Sequence, residues 1–151
     1  MPTRLHTATG CLAALLGFAL LAVAGDRATP DEAKALLDKA VKAVQADEAK
    51  ALAAFNDPKG GYQDRDLYVF CTGPDGKTSA HRDAGMIGKV SADIKTPDGR
   101  MVGKEIAELA AKGGGTLEYQ WPNPVTNKVE TKISHIKRAG NQVCGVGAYK
   151  P

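Results

Sequence analysis

Thr116–Lys132 reads T-L-E-Y-Q-W-P-N-P-V-T-N-K-V-E-T-K and holds the only Trp of the chain. Leu117, Tyr119 and Trp121 alternate with Glu118 and Gln120, so a strand here turns one apolar, partly aromatic face inward and one polar face outward. Pro122 ends that strand, because neither it nor Pro124 can donate to a ladder. Asn123, Thr126 and Asn127 suit a reversal, and a second strand is predicted from about Lys128 to Arg138. The result is a rigid aromatic corner, suited either to wall a small-molecule pocket or to brace a turn.

Working outward, Ala139-Gly140-Asn141 predicts a hairpin turn into a last strand, Gln142 to Tyr149. Gly145 and Gly147 within it imply that something packs closely over its surface. On the other side, Gly113-Gly114-Gly115 terminates a helix expected from Met101 to Lys112, with Ile106 and Leu109 inward. Arg82 to Arg100 has little periodicity and carries Gly85, Gly88, Pro97 and Gly99; it reads as a loop wrapping a site or an edge. Before it, Asp66 to Thr72 is a strand with Leu67, Val69 and Cys71 on one face and Tyr68 and Phe70 on the other, hence covered on both sides. Gly73-Pro74-Asp75-Gly76 turns it back as Thr78 to His81.

The N-terminal part is helical. Thr29-Pro30-Asp31-Glu32 combines an N-cap, a first-turn proline and acids at the positive end of the dipole. Ala33, Leu36, Leu37, Ala40, Val41 and Val44 form one stripe to about Gln45. Asp47 caps a second helix to about Phe55, and Asn56 to Gly61 stops it. Helices leading into an antiparallel sheet of about five strands, interrupted by one helix, make the chain α+β.

Residues 1–24 are expected to be a secretory signal. Arg4 and His6 precede the apolar run from Cys11 to Val23, and Ala22-Val23-Ala24 has the small-x-small form of a cleavage site. The run is about 13 residues, short of the roughly 20 needed to span a bilayer, so no membrane insertion is expected once it is removed. Residues 25–151 then form one domain, periplasmic or secreted. The 20 Lys and Arg against 17 Asp and Glu give a net charge of +3. They are interspersed and form no basic stripe, which argues against a nucleic-acid partner.

Loss of the leader removes Cys11 and leaves Cys71 and Cys144 as a pair in an oxidising compartment. A disulfide would close a loop of about 74 residues, to which the chain-entropy model assigns roughly 4 kcal/mol. The alternative is two buried free thiols in neighbouring strands.

No H-E-x-x-H, G-x-S-x-G, P-loop or dinucleotide fingerprint occurs, so the chain is not expected to be an enzyme. No C-x-x-C-H is present for covalent haem attachment, and no cofactor is expected. A pocket needs an aromatic wall and a few convergent polar groups. Tyr68, Phe70, Tyr119 and Trp121 are the candidates for the wall, with plain core as the alternative for Tyr68 and Phe70. His81, Arg82 and Lys132 are the candidate donors, suited to a desolvated carboxylate; for Lys132 and Arg82 the alternative is a solvated face. Two other readings stand beside this one. One is a haem or metal carrier using His81 or His135; the other is an interaction module whose concave face is filled by side chains.

The segments Ala54-Phe55-Asn56-Asp57, Arg65 to Phe70, Asp75-Gly76, Ala80-His81, Gly88, Lys112 to Gly115 and Tyr119 to Pro124, in this order and spacing, resemble the single Cache domain, a PAS-like extracytoplasmic sensor module. The resemblance spans about Thr29 to Lys150. It implies a long N-terminal helix along a PAS-like antiparallel sheet, with a small organic ligand, often a short carboxylate, between the sheet and the loop and helix that cover it. It places the His81 hairpin, the Trp-Pro corner and the Lys132 strand near that ligand. Such domains usually serve chemoreceptors, histidine kinases or related transducers. With no long apolar span after the leader, signalling is expected to pass through a separate membrane receptor or transducer.

Overall fold

The computed structural model describes residues 27–151; the expected leader and its cleavage site lie outside them. Helix α1, Pro30–Ala46, opens with a reciprocal capping box in which Thr29 and Glu32 satisfy each other's backbone N–H groups. The backbone N–H of Asp47 closes α1, and its side chain accepts from Lys50 N to open α2, Glu48–Asn56. One residue thus ends one helix and starts the next.

The strands are β1 (Gln63–Asp64), β2 (Leu67–Thr72), β3 (Thr78–Ala80), β4 (Gly115–Pro122), β5 (Val129–Ala139) and β6 (Gln142–Tyr149), with helix α3 (Val102–Ala111) before β4. They form one six-stranded antiparallel sheet in the order β1-β2-β6-β5-β4, with β3 also on β2. Since β6 takes one edge of β2, β1 and β3 share the other. Two-residue β1 is the strand the sequence pattern does not reveal, because so short a segment has no period. The last strand to be synthesised is therefore central: β6 joins the β2 half to the β4–β5 hairpin.

The sheet has two covered faces. Against α1 and α2 it presents Leu67, Val69 and Cys71 from β2 and Cys144, Val146 and Ala148 from β6; these pack with Leu37, Ala40, Val44 and Phe55 into a continuous apolar cluster. Burying each of the larger side chains contributes about 1.5–3 kcal/mol. Cys71 and Cys144 are directly opposed in the β2–β6 ladder with Cα atoms 4.1 Å apart, and they are disulfide-bonded.

The other face is covered by α3 and the segment from Arg82 to Arg100. That segment contains two short 3-10 turns, Ala84–Met86 and Ser91–Asp93. It is more organised than its aperiodic sequence suggests, because backbone hydrogen bonds replace periodicity. Thr78 N donates to Lys89 O, Gly88 N to Thr78 O, and Ser91 N to Gly76 O. Its second half is also seated on α3 through Gly103 N donating to Ile94 O at 3.2 Å.

Candidate functional site

Register decides which side chains meet on the face beneath α3 and the Arg82–Arg100 segment. Tyr119 pairs with Lys132 and Lys132 with Tyr149, so three strands contribute one row. The next row is Leu117, Ser134 and Gly147, and the one after it Ile136, Gly145 and Phe70. The two glycines are what let the larger side chains lie flat across β6. A Cβ on Gly147 would stand 2.3 Å from Ser134 Oγ and 2.5 Å from Lys132 Cε, and one on Gly145 2.3 Å from Phe70 Cζ. The close packing expected over these positions is present.

Lys132 uses that lane to reach the ring of Tyr68, with Nζ 3.9 Å from its centroid and at 5.4 and 5.3 Å from those of Phe70 and Tyr149. It is fully buried, and Nζ has no hydrogen-bond partner. Burial among rings pushes its pKa down to about 7, against the opposing pull of Asp66. Asp66 is itself fully buried; Oδ1 accepts from Ala28 N at 2.8 Å while Oδ2 is unpartnered. The neighbouring phenols are satisfied: Tyr119 Oη lies 2.9 Å from Ser134 Oγ, and Tyr149 donates to Pro122 O at 2.7 Å. Burial raises the pKa of Tyr68, Tyr119 and Tyr149, so all three stay neutral donors at ordinary pH.

Between this face and its cover lies a cavity of about 50 Å³, lined by Tyr68, Phe70, His81, Tyr119 and Trp121 from the sheet side and by Met86, Ile94, Val102 and Ile106 from the cover. It adjoins a wider mouth of about 450 Å³ bounded by Arg82, Asp83 and the Pro122-Asn123-Pro124 corner. Tyr68, His81, Met86 and Trp121 border both spaces. They form the neck between them.

His81 sits edge-on to Tyr68, with ring centroids 5.1 Å apart, and to Trp121 at 6.4 Å. Its Nδ1 accepts from Asp83 N at 2.9 Å, which leaves Nε2 as the protonated nitrogen of the neutral ring. Burial first, and then the charge of Lys132, push its pKa down to about 4. At neutral pH it is an uncharged donor at the neck.

The structure thus brings together Tyr68, Phe70, His81, Tyr119 and Trp121 around one space. Lys132 is not on a solvated face; it lies behind the Tyr68 ring instead of on the cavity surface. Arg82 is in the outer mouth, where it donates to Arg65 O at 2.5 Å. His135 faces away from the cavity, beside Thr116 at 3.3 Å, so the two histidines of the carrier reading are on opposite faces of the sheet. No cluster of three or more His, Cys, Asp or Glu side chains among the described residues is placed to hold a metal.

Asp66 and Tyr149 were legible by parity alone, since Asp66 shares its face with Tyr68 and Phe70, and Tyr149 shares its face with Gly145 and Gly147. Met86, Ile94 and Val102 carried no comparable signal.

The corner beyond Trp121 is tied down. Asn123 is buried, its Oδ1 accepts from Val125 N and its Nδ2 donates to Glu130 Oε2, both at 2.9 Å. Glu130 also receives Thr126 and both terminal nitrogens of Arg27, at 2.5 and 3.0 Å. These bonds, that of Arg27 foremost, hold its pKa down to about 2.

The family model for the single Cache domain 2 matches residues 22–149. The chain belongs to this family. Cache domains are extracytoplasmic sensing modules, and the α+β sheet with its cover is their fold. Among solved structures, a methyl-accepting chemotaxis protein from Vibrio parahaemolyticus is similar, with 22% identity over 79% of this chain and 86% of that one and a TM-score of 0.66. The periplasmic sensor domain of a chemotaxis protein shows 20% identity over 80% and 90%, with a TM-score of 0.59. A Cache chemosensory domain described for carboxylic acid recognition shows 21% identity over 80% and 88%, also at 0.59. At these identities the likeness concerns the fold. A comparison with curated proteins returns no match. No helix among the described residues is long and apolar enough to cross a membrane.

Proposed function

We propose that this Cache domain is a periplasmic receptor module, residues 25–151, that binds a short carboxylate in the cavity under Trp121 and acts through a separate membrane transducer. The observation that carries the reading is Lys132: a buried amine without an acceptor, held against the aromatic wall of a cavity that opens to solvent. A desolvated carboxylate reaching past Tyr68 supplies the missing partner, and His81 Nε2–H adds a neutral donor. Tyr68, Phe70, Tyr119 and Trp121 enclose the ligand's apolar part, and Arg82 attracts the anion at the mouth. The carboxylic acid recognition described for a structurally similar Cache domain is consistent with this ligand class.

Protonation is part of the mechanism. With the Lys132 pKa near 7, an anion beside it favours the charged form, so binding above neutral pH takes up a proton and weakens as pH rises. Binding reports itself as stabilisation that grows with ligand concentration over Kd. A thermal-shift and calorimetric screen of short carboxylates tests the reading, with a raised midpoint and proton uptake at pH 8 expected. Absence of any shift with all of them at millimolar concentration removes it.

A further inference from the structure

The end of the cavity away from Lys132 carries polar groups that a simple carboxylate leaves unused. Thr72 donates to Ser91 Oγ at 2.8 Å, and Thr78 Oγ1 lies 3.2 Å from the same oxygen. All three side chains line the cavity, with Thr78 at 6% and Ser91 at 8% exposure. Each hydroxyl brings one proton. Two contacts among three oxygens use two of them, whichever way the chain of bonds runs. One hydroxyl proton is therefore left over, with no other acceptor among the described residues. Nothing charged lines this cavity, and Ile94, Val102 and Ile106 make its walls apolar. The end is a neutral donor set in an apolar sleeve, suited to a neutral acceptor and unsuited to a second anion.

We propose that Thr72, Thr78 and Ser91 form a second polar subsite that reads a neutral oxygen acceptor, a keto or similar oxygen, at the far end of the bound carboxylate. The inference rests on the carboxylate reading for the Lys132 end. Thr72 follows Tyr68 by four residues on one strand face, about 13 Å at roughly 3.3 Å per residue. Subtracting about 3 Å of contact at each end leaves about 7 Å, the reach of an extended five- or six-carbon oxo acid.

The experiment compares 5-oxohexanoate with 5-methylhexanoate, which replaces the keto oxygen by a methyl of similar shape, by calorimetry on the wild-type domain. The oxo acid is expected to bind at least about tenfold tighter, because its absence leaves a buried donor unpaired. The triple variant T72V/T78V/S91A replaces the whole hydroxyl set by apolar groups, a change that is often nearly neutral for stability. It should bring the ratio close to one while keeping 5-methylhexanoate binding, which certifies an intact site. Equal affinities in the wild type overturn this subsite and leave the carboxylate reading standing. Failure of both acids, and of every shorter carboxylate, overturns both.

Discussion

The two faces of the sheet are built from the same strands and solve opposite problems. The helix face is mainly apolar, built on Leu37, Phe55, Val69 and the Cys71–Cys144 bridge, with His135 Nε2 its one buried unpartnered atom among the described residues. The cavity face buries an amine, a carboxyl oxygen without a partner, and a set of phenols and hydroxyls. Apolar burial holds the first together. The second is held in place by the first, and it keeps unpaired groups that a ligand can pair. Under the proposed function, stability rests on one side of the sheet and recognition on the other, so substitutions on the two sides should fail in different ways.

The largest expected effect is on the apolar face. Phe55→Ala should cost about 3–5 kcal/mol by opening a cavity in the cluster, seen in urea unfolding, with carboxylate affinity extrapolated to folded protein little changed. A loss of affinity as large as the loss of stability would mean that the faces are not separate.

Lys132→Met should do the reverse. It is expected to remove carboxylate binding in calorimetry while leaving the free protein at least as stable as wild type at neutral pH, because an unpaired buried charge is replaced by a chain of similar length. The pH dependence follows from a folded pKa depressed from 10.5 to about 7. Below pH 7 the folded state bears the full cost of the buried ammonium, a few kcal/mol at about 1.4 per pKa unit. Between pH 7 and about 10 the unfolded chain holds the proton more often, so wild-type stability rises and approaches that of the variant. Parallel stability curves for the two proteins across that range would refute the burial of the charge.

Gly147→Ala sharpens the comparison within the cavity face. Its Cβ meets Ser134 and Lys132 at under 3 Å, and overpacking should cost about 1–3 kcal/mol while displacing Lys132 and weakening binding together. A variant that melts and binds like wild type would show that Lys132 does not need the lane.

The smallest effect belongs to His81. Its folded pKa of about 4, against an ordinary value of 6.5, means the unfolded chain takes up the proton first on acidification. Stability carried by the neutral ring is lost as pH falls from 6.5 through 4, and His81→Gln should flatten that part of the acid-unfolding curve. Identical curves would place the ring in solvent.

Much of the fold was legible because it rests on local chemistry. Thr29 and Asp47 as caps, Pro122 as a strand end and Gly140 in the hairpin act over a few residues, and their expected positions agree with the elements formed. The aromatic corner was legible as a pattern too, although alternation in β4 says only that Tyr119 and Trp121 share a face. Lys132 shows the limit. A lysine in an alternating strand satisfies the sequence equally well in solvent or buried, and nothing local distinguishes the two.

By itself, the sequence determined the order and type of the longer elements and the family, and it offered a Cys71–Cys144 disulfide beside the alternative of two free thiols, which the structure decided. Propensity, capping and spacing are written into neighbouring residues. The tertiary structure alone decided which layer covers each face, and with it the burial of Lys132, the meeting of Tyr68 with Tyr119 and Tyr149, and the gathering of Thr72, Thr78 and Ser91. Those contacts form only when β6 enters between β2 and β5 and the Arg82–Arg100 segment folds back over the sheet, because they join residues that no local rule connects.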